Sequence, residues 1–378
     1  MAAVTGEEGR GVAVSTPHRT SKNGSTNGSA SLNLNLVEAI NQALHLAMER
    51  DSRVVVMGED VGRNGGVFRA TDGLWQRFGP ERVIDTPLAE SVIVGAAVGM
   101  AAFGLRPVAE IQFEGFTYLA FDQLVTQAAR LRNRSRGRFR VPLVLRAPHG
   151  GGVRAPEHHS EAPEALYAHV PGLQVVIPSN PCDAKGLLLA ALQQDDPVIF
   201  FEPKRIYRAF RQSVPQEAYT VPIGAAAVVR EGHDVTVVSW GASVHSVLDV
   251  IAKHGVDDNN STDHAASADG IGHLDVDAVS HLDVELIDLR SLKPWDEETV
   301  LHSVEKTGRL VVVQEAWQTG GFGSEIISRV AQKALYSLQA PPVLVGGWDI
   351  PVPLAQLERE QLPSSVRIRA ALAQVMQG

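Results

Sequence analysis

The sequence predicts an α/β fold in two domains, built on a parallel sheet with helices on both faces. Two observations carry that reading. Short apolar strands alternate with helix-patterned segments between about residues 34 and 204, an order that gives parallel sheets. A Pro- and Gln-containing stretch then breaks the pattern, and a second strand–helix alternation starts near residue 222. The expected units are 34–210 and 222–378, with a linker at 211–221.

The elements follow in order. NLVEAINQALHLAMER carries apolar residues at helical spacing, and RVVVMGED is a short apolar strand that ends in acids. RVIDTPLAE is a strand running into an apolar helix. RPVAEIQF and VPLVLRAP are strands, with the helix YLAFDQLVTQAARLRNR between them. LQVVIPSN, a helix from Pro181 to Gln193, and the strand PVIFFEPKR complete the first unit. In the second, DVTVVSWG, VELIDLR and RLVVVQEAW are strands, and SVHSVLDVIAKHG and GSEIISRVAQKAL are helices. Asp296 starts a further helix, with Glu297 and Glu298 in its first turn.

The stretch DTPLAESVIVGAAVGMAAFG, 85–104, holds one acid at the mouth of a small, apolar segment. Thr86 followed by Pro87 reads as a helix start. Gly95 and Gly99 lie four apart on one helical face, which suggests close approach of another backbone and a helix buried on most sides. Glu90 falls one residue after Ala89, the capping-box position, so its carboxylate is not needed as a cap. Two readings stand: a first-turn acid favoured by the helix dipole, or a functional group. Glu59, Glu90 and Glu110 all fall at or just beyond strand ends, where ligands bind in such sheets, and this favours function.

Composition excludes several classes. The net charge of −9 argues against general affinity for nucleic acid or anionic membrane. The single cysteine, Cys182, allows neither an internal disulfide nor a cysteine-built zinc site. No apolar run approaches the ~20 residues of a membrane span. The first thirty residues are rich in Gly, Ser, Thr and Asn, and lack the apolar core of a secretory signal. Residues 1–33 are expected to be a disordered arm, and 256–281, acidic and poor in aromatics, a flexible insertion. Glu7 and Glu8 are untypical of an organelle transit peptide, so a cytoplasmic location is expected, with mitochondrial matrix or plastid as alternatives.

Motifs narrow the chemistry. There is no GxxxxGK[ST] and no HExxH, and GGFGSE at 320–325 is a weak fragment of a Gly-rich turn. His158 and His159 are adjacent, so their rings diverge; a proton-carrying histidine on a mobile Gly150–Gly152 loop competes with a water-exposed one. RLRNRSRGRFR, 130–140, invites nucleic-acid binding, but with one aromatic in an acidic chain it reads as a solvated helix end or a subunit contact.

Six motifs in one order then resemble a known family: MGEDVG, GGVFRATDGL, RVIDTPLAES, EIQFEGF with AFDQ, EHHSEAPEAL, and DPVIFFEPKRIYR. Together they are similar to the beta subunit of thiamin-diphosphate-dependent 2-oxoacid dehydrogenases, from about Leu34 to the C-terminus with the 256–281 interruption. The resemblance implies a pyrimidine-binding domain followed by a transketolase-type C-terminal domain. It implies that Glu90 meets N1′ of the aminopyrimidine, driving the cofactor to the imino form that deprotonates its own thiazolium. Such a role needs desolvation to raise the carboxyl pKa against the pull of the helix N-terminus. Phe116 corresponds to the aromatic packed on the aminopyrimidine, Glu59 to an acid in a proton path between two active sites, and His159 to the histidine serving reductive acylation of lipoyl. Leu143, Ala191, Leu192 and Asp196 correspond to a structural potassium site, in which Gln194 replaces a frequent aspartate.

The resemblance also implies partners. The chain lacks the GDG that opens the Mg2+–diphosphate motif, so an alpha subunit is expected to hold Mg2+ and the diphosphate in an α2β2 heterotetramer. A lipoylated dihydrolipoyl acyltransferase core is the expected acceptor. EHHSEAPEALYAHVPGL and FFEPKRIYR resemble branched-chain members more than pyruvate members, which implies a substrate of the 3-methyl-2-oxobutanoate type, with pyruvate as the alternative. A non-catalytic scaffold subunit is the competing class, and the joint presence of Glu90, Phe116 and His159 counts against it.

Overall fold

A computed structural model describes residues 30–252 and 281–378. Most of the expected arm and nearly all of the expected insertion lie outside the described residues. Residues 31–33 depart from the arm reading, because they belong to a strand.

The first half runs β1 (Ser31–Leu34), α1 (Leu36–Arg50), β2 (Val54–Gly58), α2 (Leu74–Phe78), β3 (Val83–Asp85), α3 (Glu90–Ala102) and β4 (Arg106–Glu110). It continues through α4 (Ala129–Arg134), β5 (Val144–His149), α5 (Glu164–Ala168), β6 (Gln174–Val176), α6 (Pro181–Ala191), β7 (Val198–Pro203) and β8 (Gln212–Pro215). The second half holds β9 (Ala227–Arg230), β10 (Val235–Ser239), α7 (Ser243–Ala252), β11 (Val284–Asp288), β12 (Ser291–Lys293) and α8 (Glu297–Thr307). β13 (Leu310–Trp317), α9 (Phe322–Lys333), β14 (Val343–Gly347), α10 (Glu358–Gln361) and α11 (Ser365–Gln377) complete it.

The larger sheet has the order β12-β6-β7-β5-β4-β2-β3, parallel except for β12. The smaller has the order β14-β13-β10-β11-β9, parallel except for β9. Two pairings depart from the linear reading of domains. β8, inside the expected linker, pairs antiparallel with β1, and β12 crosses back to edge the first sheet. The central strands read as apolar runs because both of their faces are covered.

Each sheet has its own core, one around Leu36, Ile40 and Phe200, the other around Val237, Val311 and Leu372. A third core crosses between them and joins Leu145, Tyr167 and Phe201 to Trp240, Ile287 and Phe322. At about 1.5–3 kcal/mol per large apolar side chain buried, that seam fixes the two halves against each other.

Helix starts follow local chemistry in part. Asn35 and Glu38 form a reciprocal capping box on α1, and Asn180 caps α6 with Pro181 in its first turn. Asp296 caps α8, as its sequence predicts. The run from Glu114 to Arg134 is helical but not uniformly α: it opens as a 3-10 helix, passes through a π turn at Gln123–Ala128, and only then becomes α4.

Candidate active site

α3 begins later than Thr86–Pro87 suggests. Glu90 is its first residue, Ala89 occupies the cap position, and no side chain caps it. Thr86 instead prolongs β3, donating its N–H to the Gly58 carbonyl at 2.9 Å, and this bond holds the chain extended through Pro87. The helix is also less covered than its composition suggests. Ile93, Val94 and Ala97 are buried, while Val92 is 63% and Phe103 94% exposed, with Leu88 beside them at 78%. A β-carbon on Gly95 meets the Gln123 side chain at 3.4 Å, and one on Gly99 meets nothing within 4 Å. The close backbone approach expected at Gly99 is not made within the described residues.

The carboxyl ends of β2, β3 and β4 align, with Gly58 opposite both Asp85 and Glu110. Glu59 leaves β2 there, and Glu90 enters α3 beside it. Glu90 is 6% and Glu59 9% exposed. Burial pushes the Glu59 carboxyl above its ordinary value, and the neighbouring Glu90 and Asp60 carboxylates add to the rise. No hydrogen bond or ion pair within the described residues engages the Glu90 carboxylate. Two acids thus share a desolvated corner, which suits the holding of a proton between them.

The same half of the chain holds an aromatic wall. His159 packs edge-on against Phe113 at 4.3 Å and against Phe116 at 5.1 Å between ring centroids. Phe68 supports Phe113 from behind at 5.6 Å. Burial lowers the His159 pKa, and the Lys204 and His158 charges lower it further, which favours the neutral imidazole. Its Nδ1 is buried without a partner, an open position for a proton donor or acceptor. His158 is exposed on the same short turn and has no part in the wall beyond a 6.3 Å contact with Phe116. Among the described residues no group of three or more His, Cys, Asp or Glu is arranged to hold a metal.

Beneath the wall is a charged layer of which the sequence singled out Glu110 alone. Lys204 Nζ contacts both oxygens of Glu114 at 2.9 and 3.0 Å, with both side chains at 0% exposure. Burial drives the carboxyl up and the ammonium down, and the pairing opposes both shifts. Arg146 bridges Glu110 at 2.7 Å and Glu202 at 2.6 Å, and Tyr207 donates to Glu202 at 2.6 Å. Glu164 accepts from Trp240 at 3.0 Å and pairs with His149 at 2.9 Å. Glu110, Arg146 and Glu202 were detectable as lone charges in apolar strands. Their pairing required the sheet.

The oxygens implied for potassium each carry a hydrogen bond or an ion pair within the chain. Leu143 O accepts the Val198 N–H at 2.9 Å and Ala191 O the Gln194 N–H at 3.1 Å. Leu192 O accepts from Arg106 at 3.0 Å, and the same guanidinium donates to Gln194 O at 2.9 Å. Asp196 is paired with Arg132 at 2.5 Å. The Arg106 guanidinium thus places a fixed positive charge against this turn. Arg132 and Arg140, from the basic 130–140 stretch, are spent on Asp196 and Asp195.

This fold, with buried acids at the carboxyl end of its larger sheet, defines a transketolase-like protein. The chain matches the transketolase pyrimidine binding domain over residues 33–209 and the transketolase C-terminal domain over 277–368. It is 53% identical to the pyruvate dehydrogenase E1 component subunit beta of Acholeplasma laidlawii, covering 89% of this chain and 96% of that one. It is 45% identical to the 2-oxoisovalerate dehydrogenase subunit beta of Pseudomonas aeruginosa, covering 91% and 95%. A solved structure titled as a split-gene transketolase, inactive beta4 tetramer, matches with a TM-score of 0.68 at 21% identity over 91% of this chain and 98% of that one, a likeness of fold. The chain belongs to the beta subunits of the thiamin-diphosphate-dependent 2-oxoacid dehydrogenases.

Proposed function

We propose that this chain is the catalytic beta subunit of an enzyme that oxidatively decarboxylates a 2-oxoacid and passes the acyl group to a lipoyl group. The carrying observation is the buried, unpartnered Glu90 beside Glu59 at the carboxyl end of the larger sheet; the packed rings of Phe113, Phe116 and His159 lie in the same half of the chain. The residues fit the pyrimidine half of thiamin diphosphate, which when bound supplies a nucleophilic carbon and an electron sink. Glu90 holds a proton at the ring nitrogen. Phe116 gives the ring an apolar face. Glu59, whose carboxyl burial and the neighbouring acids push above its ordinary value, exchanges a proton with Glu90. Neutral His159 accepts or donates a proton as the acyl group leaves.

An alpha subunit supplies the Mg2+ and diphosphate site, in an α2β2 assembly. The exposed apolar row Leu88, Val92 and Phe103, beside the open face of Gly99, supports a partner chain against α3. A lipoylated acyltransferase core receives the acyl group. The bacterial relatives support a cytoplasmic location, and no described helix is long and apolar enough to cross a membrane.

The substrate has two supported readings. The identities, 53% to a pyruvate beta subunit against 45% to a 2-oxoisovalerate one, favour pyruvate. The motifs EHHSEAPEALYAHVPGL and FFEPKRIYR favour the branched-chain acid. The test is co-purification with the alpha partner, addition of thiamin diphosphate and Mg2+, and comparison of pyruvate with 3-methyl-2-oxobutanoate. Glu90→Gln should leave assembly intact and abolish decarboxylation. An assembled wild-type complex that decarboxylates neither acid would make the chain a scaffold.

A further inference from the structure

The segment 150–160, between β5 and α5, carries His159 and has one short 3-10 turn, Glu157–His159, as its regular structure. Gly150, Gly152 and Arg154 have φ of +79°, +90° and +60°, a path the chain does not take unaided. The amides of such a loop need partners. Three of them are met by carboxylates of the C-terminal half. Gly152 and Arg154 donate their backbone N–H groups to Glu358, at 2.9 Å to Oε1 and 2.8 Å to Oε2. Gly151 donates to Glu315 Oε2 at 3.2 Å, while Arg205 holds the other oxygen at 2.6 Å.

The fit is close on both sides. A β-carbon on Gly150 would stand 2.2 Å from Glu315 Oε2, and one on Gly152 would stand 2.4 Å from Arg205 Cδ. Glu358 is 1% exposed and forms no ion pair among the described residues, so its two oxygens are committed to the loop backbone. A desolvated carboxylate with one amide on each oxygen is a strong, directional clamp.

We propose that Glu358, assisted by Glu315, is the positioning residue for His159: the C-terminal domain fixes the 150–160 backbone and thereby sets the imidazole against Phe113 and Phe116. The inference rests on the reading of His159 as the group serving acyl transfer. Among the described residues no hydrogen bond or ion pair joins Glu358 to Glu59 or Glu90. Loss of the clamp therefore separates two half-reactions, sparing decarboxylation and impairing acyl transfer.

The test uses the assembled complex with the lipoylated acceptor. Glu358→Gln keeps the shape, leaves one acceptor oxygen, and turns an amide NH2 toward a backbone N–H. Decarboxylation followed with ferricyanide should stay within about twofold, and acyl transfer to lipoyl should fall at least about tenfold. Amide exchange should quicken over 150–156 and stay unchanged in α3. Glu358→Asp, with both acceptors on a shorter arm, should recover part of the transfer; it also carries the measurement if the Gln variant does not fold. Equal loss of both half-reactions, or unchanged transfer and exchange, overturns the proposal. A His159→Ala variant that keeps acyl transfer removes the parent reading and the proposal with it. His159→Ala losing transfer beside a Glu358→Gln that keeps it overturns the positioning role alone.

Discussion

A β-carbon added to Gly115 would stand 2.2 Å from the carbonyl oxygen of His158. The aromatic segment that carries Phe113 and Phe116 and the loop that carries His159 therefore touch backbone to backbone, and only glycine leaves the room. The aromatic wall is one packed unit made from two distant stretches of chain. Gly115→Ala should force these segments apart, at a cost of ~1–3 kcal/mol. A urea midpoint and an acyl-transfer rate that both match wild type would show that the contact is not tight.

Lys204 and Glu114 are paired with no solvent on either. Lys204→Met should destabilise by ~3–5 kcal/mol, because it leaves an acid buried without its partner. Adding Glu114→Gln should recover most of the loss. The Glu114 carboxyl titrates near pH 7 even with Lys204 present, so the single variant should suffer less at pH 5.5 than at pH 8. Urea denaturation at the two pH values reads this directly. Equal losses would mean that the pair is not charged.

Asp288, fully buried at the end of β11, accepts hydrogen bonds from the Ser179 hydroxyl and the Arg290 amide. Burial lifts its carboxyl from 3.8 to about 7. The folded state thus favours the protonated acid. The sign follows: its stabilisation is fully present below the ordinary carboxylate range and is lost as pH rises to about 7. Asp288→Asn presents an oxygen to the Arg290 amide and an NH2 to Ser179 without titrating. It should gain a few kcal/mol on wild type between pH 4 and pH 7, and no more above that. Parallel stability profiles for the two proteins would contradict the shift.

Arg106 carries the positive charge at the 191–196 turn. Thermal melting of the wild-type complex should be the same in potassium and sodium salts of equal ionic strength. Arg106→Ala frees two carbonyls and should cost ~1–3 kcal/mol. A wild-type melting point that rises with potassium would restore the ion to the turn.

Much of the architecture is local chemistry and is legible in order along the chain. VVVMG, VLRAPH and VIFFEP are strands because both faces are buried, and Asn35, Asn180 and Asp296 cap helices because of their side chains. Of the residues proposed for the site, Glu59 and Glu90 are legible as charges at strand ends and His159 as a histidine on a Gly-rich loop, while Phe116 comes from the family resemblance alone. The start of α3 was misread because a bond from Thr86 to Gly58, set by the sheet, overrode a local start signal.

By itself, then, the sequence determined the periodicity, the caps, the two-unit order and the chemical types available at the corner. These are properties of neighbours within a few residues, where backbone geometry alone decides who meets whom. Only the tertiary structure decided that β12 edges the first sheet, that Arg106 donates to the Leu192 carbonyl, and that Glu358 reaches the amides of Gly152 and Arg154. Each of those joins residues more than 80 positions apart, and no spacing rule encodes such a contact: it exists because packing within and between the two halves brings distant stretches to a fixed distance.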